Sequence, residues 1–215
     1  MCASYGLDPR FDAERYREAV EEDSLRRLRE RAVANAGATI RPTGRVQRNL
    51  NPLLVGGESG AALADGWWGF LVDGAPSRFP SINTRSERLR ERPAGMRRRA
   101  IVPATSWFEL RKGDRRWFEF ADRGELLGLA AVVQTGRLGG DDTEHLCYSI
   151  VMQPASPVVA AVHDRMPVLV TPDRVGDWLA PEPASPALLD SVIADGRALG
   201  AAIAGTERST SPLAG

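Results

Sequence analysis

From Asp12 to Ala34 apolar residues recur every three or four positions among charges: Tyr16, Ala19 and Val20, then Leu25, Leu28 and Ala32. That period predicts a helix with one stripe facing a core, and Glu21-Glu22-Asp23-Ser24 offers a break near its middle. After Gly37 the period changes. Short apolar runs follow one another, separated by Gly, Pro and Asn: NPLLV, WWGFLV, RAIVPA, SWFEL, RWFEF, LLGLAAVV, LCYSIVM and MPVLVT. Each has the length of a strand and is bounded by turn residues. The segment SWFELRKGDRRWFEF predicts a hairpin, with Lys112-Gly113-Asp114 at its turn. Ser156-Pro157 predicts the start of a short helix that delivers His163 to a loop before a strand over PVLVT. TPDRVGDWL and SPALLDSVIADG predict two more short helices, and the tail after about residue 200, ending in TERSTSPLAG, reads as loosely ordered. Many strands with few helices long enough for parallel crossovers predict an α+β fold: a mixed, largely antiparallel β core, barrel-like or sandwich, flanked by short helices.

Composition sets the scale of that core. A chain of 215 residues, 43% hydrophobic and 26% charged, suits one domain spanning residues 1–215, and no repeat or linker divides it. Cys2 and Cys147 cannot make a disulfide framework, and no leader or long apolar run points to export or a membrane. The expectation is a cytoplasmic protein with reduced thiols and no membrane partner. Lacking a coiled-coil or exposed apolar repeat, it is expected to be a monomer. A formal net charge of zero argues against a generally polycationic coat for nucleic acid. Locally the balance differs: between Arg78 and Arg99 stand eight arginines and only two acids, Glu87 and Glu91. A guanidinium fork suits phosphate oxygens, so this run reads either as a phosphate-contacting surface or as a solvated face with ordinary ion pairs.

The motif search first removes candidates. His145 and His163 are the two histidines, neither at metal-ligand spacing from another His or Cys, so no metal is expected. No Gly-rich phosphate loop follows a strand and no GxSxG is present, and no cofactor is expected. What remains is a set of polar residues where apolar ones would be expected. Asn83, Arg85 and Glu87 lie in INTRSE, Glu109 interrupts the strand WFEL, and His163 and Arg165 lie in HDRMP. Singly, each has an ordinary reading: a turn residue, a solvent-facing strand position, a helix-end cap. His145 and Cys147 read as structural. Cys2 is different, because once Met1 is removed it offers a free amine and a thiol on adjacent carbons.

Together these features resemble a known family. Cys2 after Met1, INTRSE, the segment from Pro103 to Glu109 and HDRMP are similar, in order, to the SOS-response-associated peptidase (SRAP) family, the abasic-site processing proteins that protect single-stranded DNA. The match runs from residue 2 to about residue 180, with WGF at Trp68 to Phe70 and Pro42 in IRPTGR as further support. The resemblance implies a sensor in the DNA damage response that forms a covalent link to an abasic site in single-stranded DNA, associated with the nucleoid when bound. Lyase character and peptidase activity are implied alongside. The chemistry of the residues agrees. A ring-opened abasic site presents an aldehyde, and a neutral α-amine with a pKa of about 8 can attack it to give a Schiff base. The adjacent thiol then closes a five-membered thiazolidine, an intramolecular step in which orientation contributes roughly 7–11 kcal/mol in ideal cases. An internal cysteine cannot do this, its nitrogen being committed to an amide.

By resemblance, Asn83 would hydrogen-bond around Cys2, Glu109 would relay protons on the amine and the sugar oxygen, and His163 would act as acid or base in ring opening. Arg85 and Arg165 would hold flanking phosphates, Pro42 would wedge against a continuous duplex, and Arg41 and Trp68 would complete the DNA side. That side also departs from the family pattern. Ala3 and Ser4 follow Cys2 where the family has Gly-Arg, Thr39 stands where it has asparagine, and LVDGAP follows WGF. Two other readings use the same residues: an amidase or peptidase with the terminal cysteine as nucleophile, and a divergent DNA-binding module without catalysis.

Overall fold

The computed structural model describes residues 2–43, 49–78, 81–140 and 142–213. The first helical stretch breaks earlier than its charges suggest. Glu14–Tyr16 form a single 3-10 turn, and the regular helix α1 spans Glu22–Ala34. Val20 is drawn into a β-bridge with Ala61, and the buried Tyr16 hydroxyl donates to the Val170 carbonyl at 2.5 Å. Tertiary partners override the helical period there. Leu25, Leu28 and Ala32 face the core, as their spacing predicts.

The strands in chain order are β1 (Tyr5–Gly6), β2 (Asn51–Gly56), β3 (Ala61–Trp68), β4 (Leu71–Val72), β5 (Ala75–Pro76), β6 (Asn83–Arg85) and β7 (Arg99–Ala104). They continue with β8 (Ser106–Arg111), β9 (Arg116–Ala121), β10 (Leu127–Arg137), β11 (Glu144–Pro154), β12 (Arg165–Pro167) and β13 (Ala204–Arg208). The later helices are α2 (Ser86–Glu91), α3 (Pro157–Ala160), α4 (Val175–Leu179) and α5 (Pro186–Ala202). Strands β10, β7, β2, β3 and β11 hydrogen-bond in that order, and β10 also pairs with β11. The five therefore close on themselves as a barrel, which leaves none of them with a bare edge along its whole length. All pairs around it are antiparallel except β3 with β11. Residues 127–133 of β10 are buried without interruption, which is why LLGLAAVV reads as continuous rather than alternating.

Strand β11 outruns the barrel, and its far end holds the segments that carry Asn83 and Arg165. Beyond its pairing with β3 it accepts β6, with Asn83 opposite Ile150, and beyond β10 it accepts β12, with Arg165 opposite Pro154. A second, antiparallel sheet has the order β1-β8-β9-β13 and contains the predicted hairpin, its turn finished by Arg115 at φ 58°.

Two expectations about the C-terminal part are corrected. The stretch read as loosely ordered supplies β13, paired with β9 from Ala204 opposite Ala121 to Arg208 opposite Trp117. Its five residues are all exposed and it is held by backbone bonds and by ion pairs Arg116–Glu207 and Arg208–Glu119, so no apolar alternation announces it. Ala214 and Gly215 lie outside the described residues. The helix over SPALLDSVIADG is not short: α5 runs through Gly196 and Gly200 to Ala202. Gly196 lies so close to the Leu169 carbonyl that a Cβ would stand 2.4 Å from it, so glycine there allows contact with the barrel rather than ending the helix. Among the described residues no helix is long and apolar enough to cross a membrane.

Candidate active site

The beginning of the chain is built into the fold. Tyr5 and Gly6 pair with Trp107 and Ser106 of β8, and the Phe108 amide donates to the Ser4 carbonyl at 3.1 Å. On the other side the Tyr5 amide donates to the Ile40 carbonyl at 3.1 Å and the Ile40 amide donates back at 2.8 Å. Held from both sides, Cys2 is 0% exposed, which is unusual for a second residue.

Two of the polar residues singled out in the sequence, Asn83 and Glu109, act on Cys2 directly. Asn83, at the start of β6, donates from Nδ2 to the Cys2 carbonyl at 2.8 Å. Glu109, on the same sheet face as Trp107, is 1% exposed, so the solvent-facing reading of this strand position is corrected. Burial pushes its carboxyl up to about 7, against the pull of the positive chain terminus. The Cys2 thiol is pushed up as well, first by burial and then by the negative charge of Glu109, and its Sγ donates to the Ser4 carbonyl at 3.6 Å. It is therefore held as a protonated thiol.

His163 follows α3, whose Ser156-Pro157 start is as predicted, and its amide donates to the Val159 carbonyl at 2.9 Å. Its side chain is only 9% exposed. Burial, and then the positive chain terminus, lower its pKa, so the ring is neutral near pH 7. Nδ1 accepts the Arg165 amide hydrogen at 3.1 Å, which leaves the ring proton on Nε2. The Asp164 carboxylate also lies 3.2 Å from Nδ1, but with a neutral ring this is no ion pair, and Asp164 is 79% exposed. The positive chain terminus acts on both Glu109 and His163, and the Asp164 carboxylate acts on Glu109.

The DNA-side expectations fare differently. Arg85 is exposed beside Asn83, and both line a groove of about 1520 Å³. Arg165 is engaged: its guanidinium donates to Glu87 at 2.6 Å and ties β12 to α2. Burial works to raise the Glu87 carboxyl, but that bond, a backbone hydrogen bond and the charges of Arg165 and Arg90 together outweigh it and hold the group below the usual carboxylate range. Arg41 reaches the Pro212 carbonyl at 3.3 Å, and Pro42 is half-buried beside it. Trp68 is wholly buried, which corrects its placement on the DNA side. Its ring stacks on Tyr148 with centroids 5.9 Å apart, and its Nε1 donates to the Ile82 carbonyl at 2.9 Å. In WGF the residue that reaches the groove is Phe70.

Sequence reasoning passed over the layer beneath Cys2. The Tyr5 and Tyr148 hydroxyls meet at 3.3 Å, both rings fully buried, and burial raises both phenols. Aromatic residues in apolar strands read as core, and nothing local marks these two as polar partners. Among the described residues no three His, Cys, Asp or Glu side chains gather as a metal site.

Known proteins share this arrangement of sequence and fold. The abasic site processing protein YedK of Escherichia coli (strain K12) is 30% identical over 137 residues, covering 62% of this chain and 56% of that protein. YobE of Bacillus subtilis (strain 168), also named an abasic site processing protein, is 23% identical over 205 residues, covering 90% of this chain and 88% of that protein. The stretches matched in YedK and in YoaM of B. subtilis span 56% and 60% of those proteins. In fold, the crystal structure of a Bordetella bronchiseptica protein superposes with a TM-score of 0.68 at 19% identity, covering 97% of this chain and all of that one. A Bacteroides thetaiotaomicron protein gives 0.64 at 16% identity, covering 98% of this chain and 96% of that one. Residues 1–202 match the sequence model of the SOS response associated peptidase (SRAP) family, and the chain belongs to that family.

Proposed function

We propose that this protein captures abasic sites in single-stranded DNA through a covalent bond to Cys2, within the DNA damage response. The observation that carries this reading is a buried Cys2 whose carbonyl is fixed by Asn83 and whose thiol lies in the field of Glu109. The abasic site processing names of the relatives supply the substrate class.

Removal of Met1 turns the Cys2 amide nitrogen into a free amine. The amine lone pair adds to the aldehyde carbon of the opened sugar, and the carbonyl oxygen takes up a proton. Loss of that oxygen as water gives the imine. Sulfur then adds to the imine carbon and the thiol proton passes to nitrogen, so aldehyde and aminothiol yield thiazolidine and one water. A carboxyl with a pKa of about 7 both accepts the ammonium proton and returns it to the departing hydroxyl near neutral pH. His163, neutral with Nε2 protonated, is the donor for the sugar oxygen in ring opening. Arg85 meets a flanking phosphate, and Arg165, oriented by Glu87, borders the pocket. The protonated thiol fits an amine-first sequence better than a thiolate-first amidase.

The test mixes protein of verified mass, lacking Met1, with an oligonucleotide carrying one abasic site, without reductant. The expected result is a band resistant to denaturation, absent in Cys2→Ala, while Cys2→Ser leaves only a Schiff base that reduction traps. Absence of a resistant band overturns the reading. Cys2-dependent cleavage of amide substrates would replace it with the amidase, and a salt-sensitive shift that denaturation abolishes would replace it with the binding module.

A further inference from the structure

The histidine loop presents two different partners to one ring nitrogen. Nδ1 of His163 lies 3.1 Å from the Arg165 amide nitrogen and 3.2 Å from Oδ1 of Asp164. An imidazole nitrogen carries either a lone pair or a proton in the plane of the ring. With a lone pair on Nδ1 the amide N–H is the fitting partner and the carboxylate is not. With a proton there the carboxylate fits and the amide does not. The loop therefore holds a partner ready for each of the two neutral tautomers of His163.

Both partners are fixed by the backbone around the ring. The Asp164 carbonyl accepts the Ala155 amide at 3.0 Å, Arg165 stands opposite Pro154 in the pairing of β12 with β11, and the His163 amide is bonded to the Val159 carbonyl. Exposure divides the two side chains, 9% for His163 and 79% for Asp164. The carboxylate thus stands in water with one oxygen against a buried ring. The other charges acting on that ring are cationic, the chain terminus and Lys112 of the turn between β8 and β9, and both disfavour a proton on it. The Arg165 guanidinium is turned to Glu87. Among the charged groups of the described residues that act on His163, Asp164 alone favours protonation.

We propose that Asp164 is a positioning residue for His163 and its route to solvent protons. The inference deepens the capture reading and rests on it for the step served, the opening of the sugar. As the bond from C1′ to the ring oxygen breaks, its electron pair goes to that oxygen, which takes the Nε2 proton of His163. The hydroxyl on C1′ gives its proton to the Glu109 carboxylate, and the carbon becomes the aldehyde. A solvent acid protonates Asp164, which passes that proton to Nδ1 and is left as the carboxylate that accepts the new Nδ1–H. The imidazole stays neutral and changes only from the Nε2–H to the Nδ1–H tautomer. In that state the Arg165 amide lacks its acceptor, so the resting tautomer returns once the step is over.

Two measurements test this, the first without DNA. Imidazole nitrogen resonances of the protein lacking Met1 are titrated with pH, and His145→Gln assigns the remaining signals to His163. Asp164→Asn keeps the shape and removes the charge, and it should lower the His163 midpoint by about 0.5 units. An unchanged or raised midpoint overturns the proposal. In single-turnover crosslinking of an abasic oligonucleotide, Asp164→Asn should slow the reaction about tenfold near pH 8 and by less near pH 6, where solvent acid protonates the ring more often. Added formate should restore most of the rate to Asp164→Ala. A loss that is equal at every pH and untouched by formate belongs to a structural role and overturns the proposal. A shifted midpoint in a wild-type protein that forms no crosslink overturns capture, and with it the step assigned to Asp164, while the pairing of Asp164 with His163 stands.

Discussion

Glu109 owes its chemistry to burial, and burial has a cost that can be measured. Its folded pKa of about 7 lies above the ordinary 4.5, so between those values the folded chain binds more protons than the unfolded one. Stability therefore falls as pH rises from 4.5 through 7, and above 7 the carboxylate sits charged in the fold at a cost of about 3 kcal/mol at most. Glu109→Gln removes this charge and keeps the shape. It should raise stability by about 2–3 kcal/mol at pH 8 and change little near pH 4, read from urea midpoints at both pH values. Equal midpoints at pH 8 would show the carboxylate to be solvated. In single-turnover crosslinking the wild type should speed up as pH rises through about 7, where Glu109 gains its base form, and the glutamine variant should be slow without that step.

Elements carry information that single residues do not. In an ordinary exposed helix Gly→Ala stabilises by roughly 1 kcal/mol. At Gly196 of α5 the sign should reverse, because a Cβ would stand 2.4 Å from the Leu169 carbonyl and the helix would have to lift off the barrel. Gly196→Ala is expected to cost about 1–3 kcal/mol, whereas Gly176→Ala, where nothing lies within 4 Å of the added carbon, should not destabilise through contact. The start of α5 was open to sequence reading: Ser185 accepts from the Leu188 amide at 3.2 Å and Pro186 is the first helical residue. Its length was not, since the glycines that look like a stop are packing contacts.

For the whole molecule the decisive joints are long-range. Arg99 joins barrel strand β7 to α4 and the segment after it through carbonyls of Trp178, Ala180 and Glu182, and its guanidinium lies over the Trp178 ring at 5.8 Å. Arg99→Lys keeps the charge but loses the fork, leaving buried carbonyls without donors. It should cost about 3 kcal/mol by urea unfolding. The amino-acid order alone determined the succession of strands, the hairpin, the helix leading to His163 and the polar residues out of place, because period, turn chemistry and residue type are local. It also marked an arginine-rich run, without separating contact from solvation. Tertiary structure alone decided that Glu109 is buried, that Trp68 is core, that Arg165 is tied to Glu87 and that residues 204–208 form a strand. Those outcomes depend on which segments the closed barrel brings together across the chain, and neighbours in sequence do not carry the burial or partner charge that sets a pKa or frees a guanidinium.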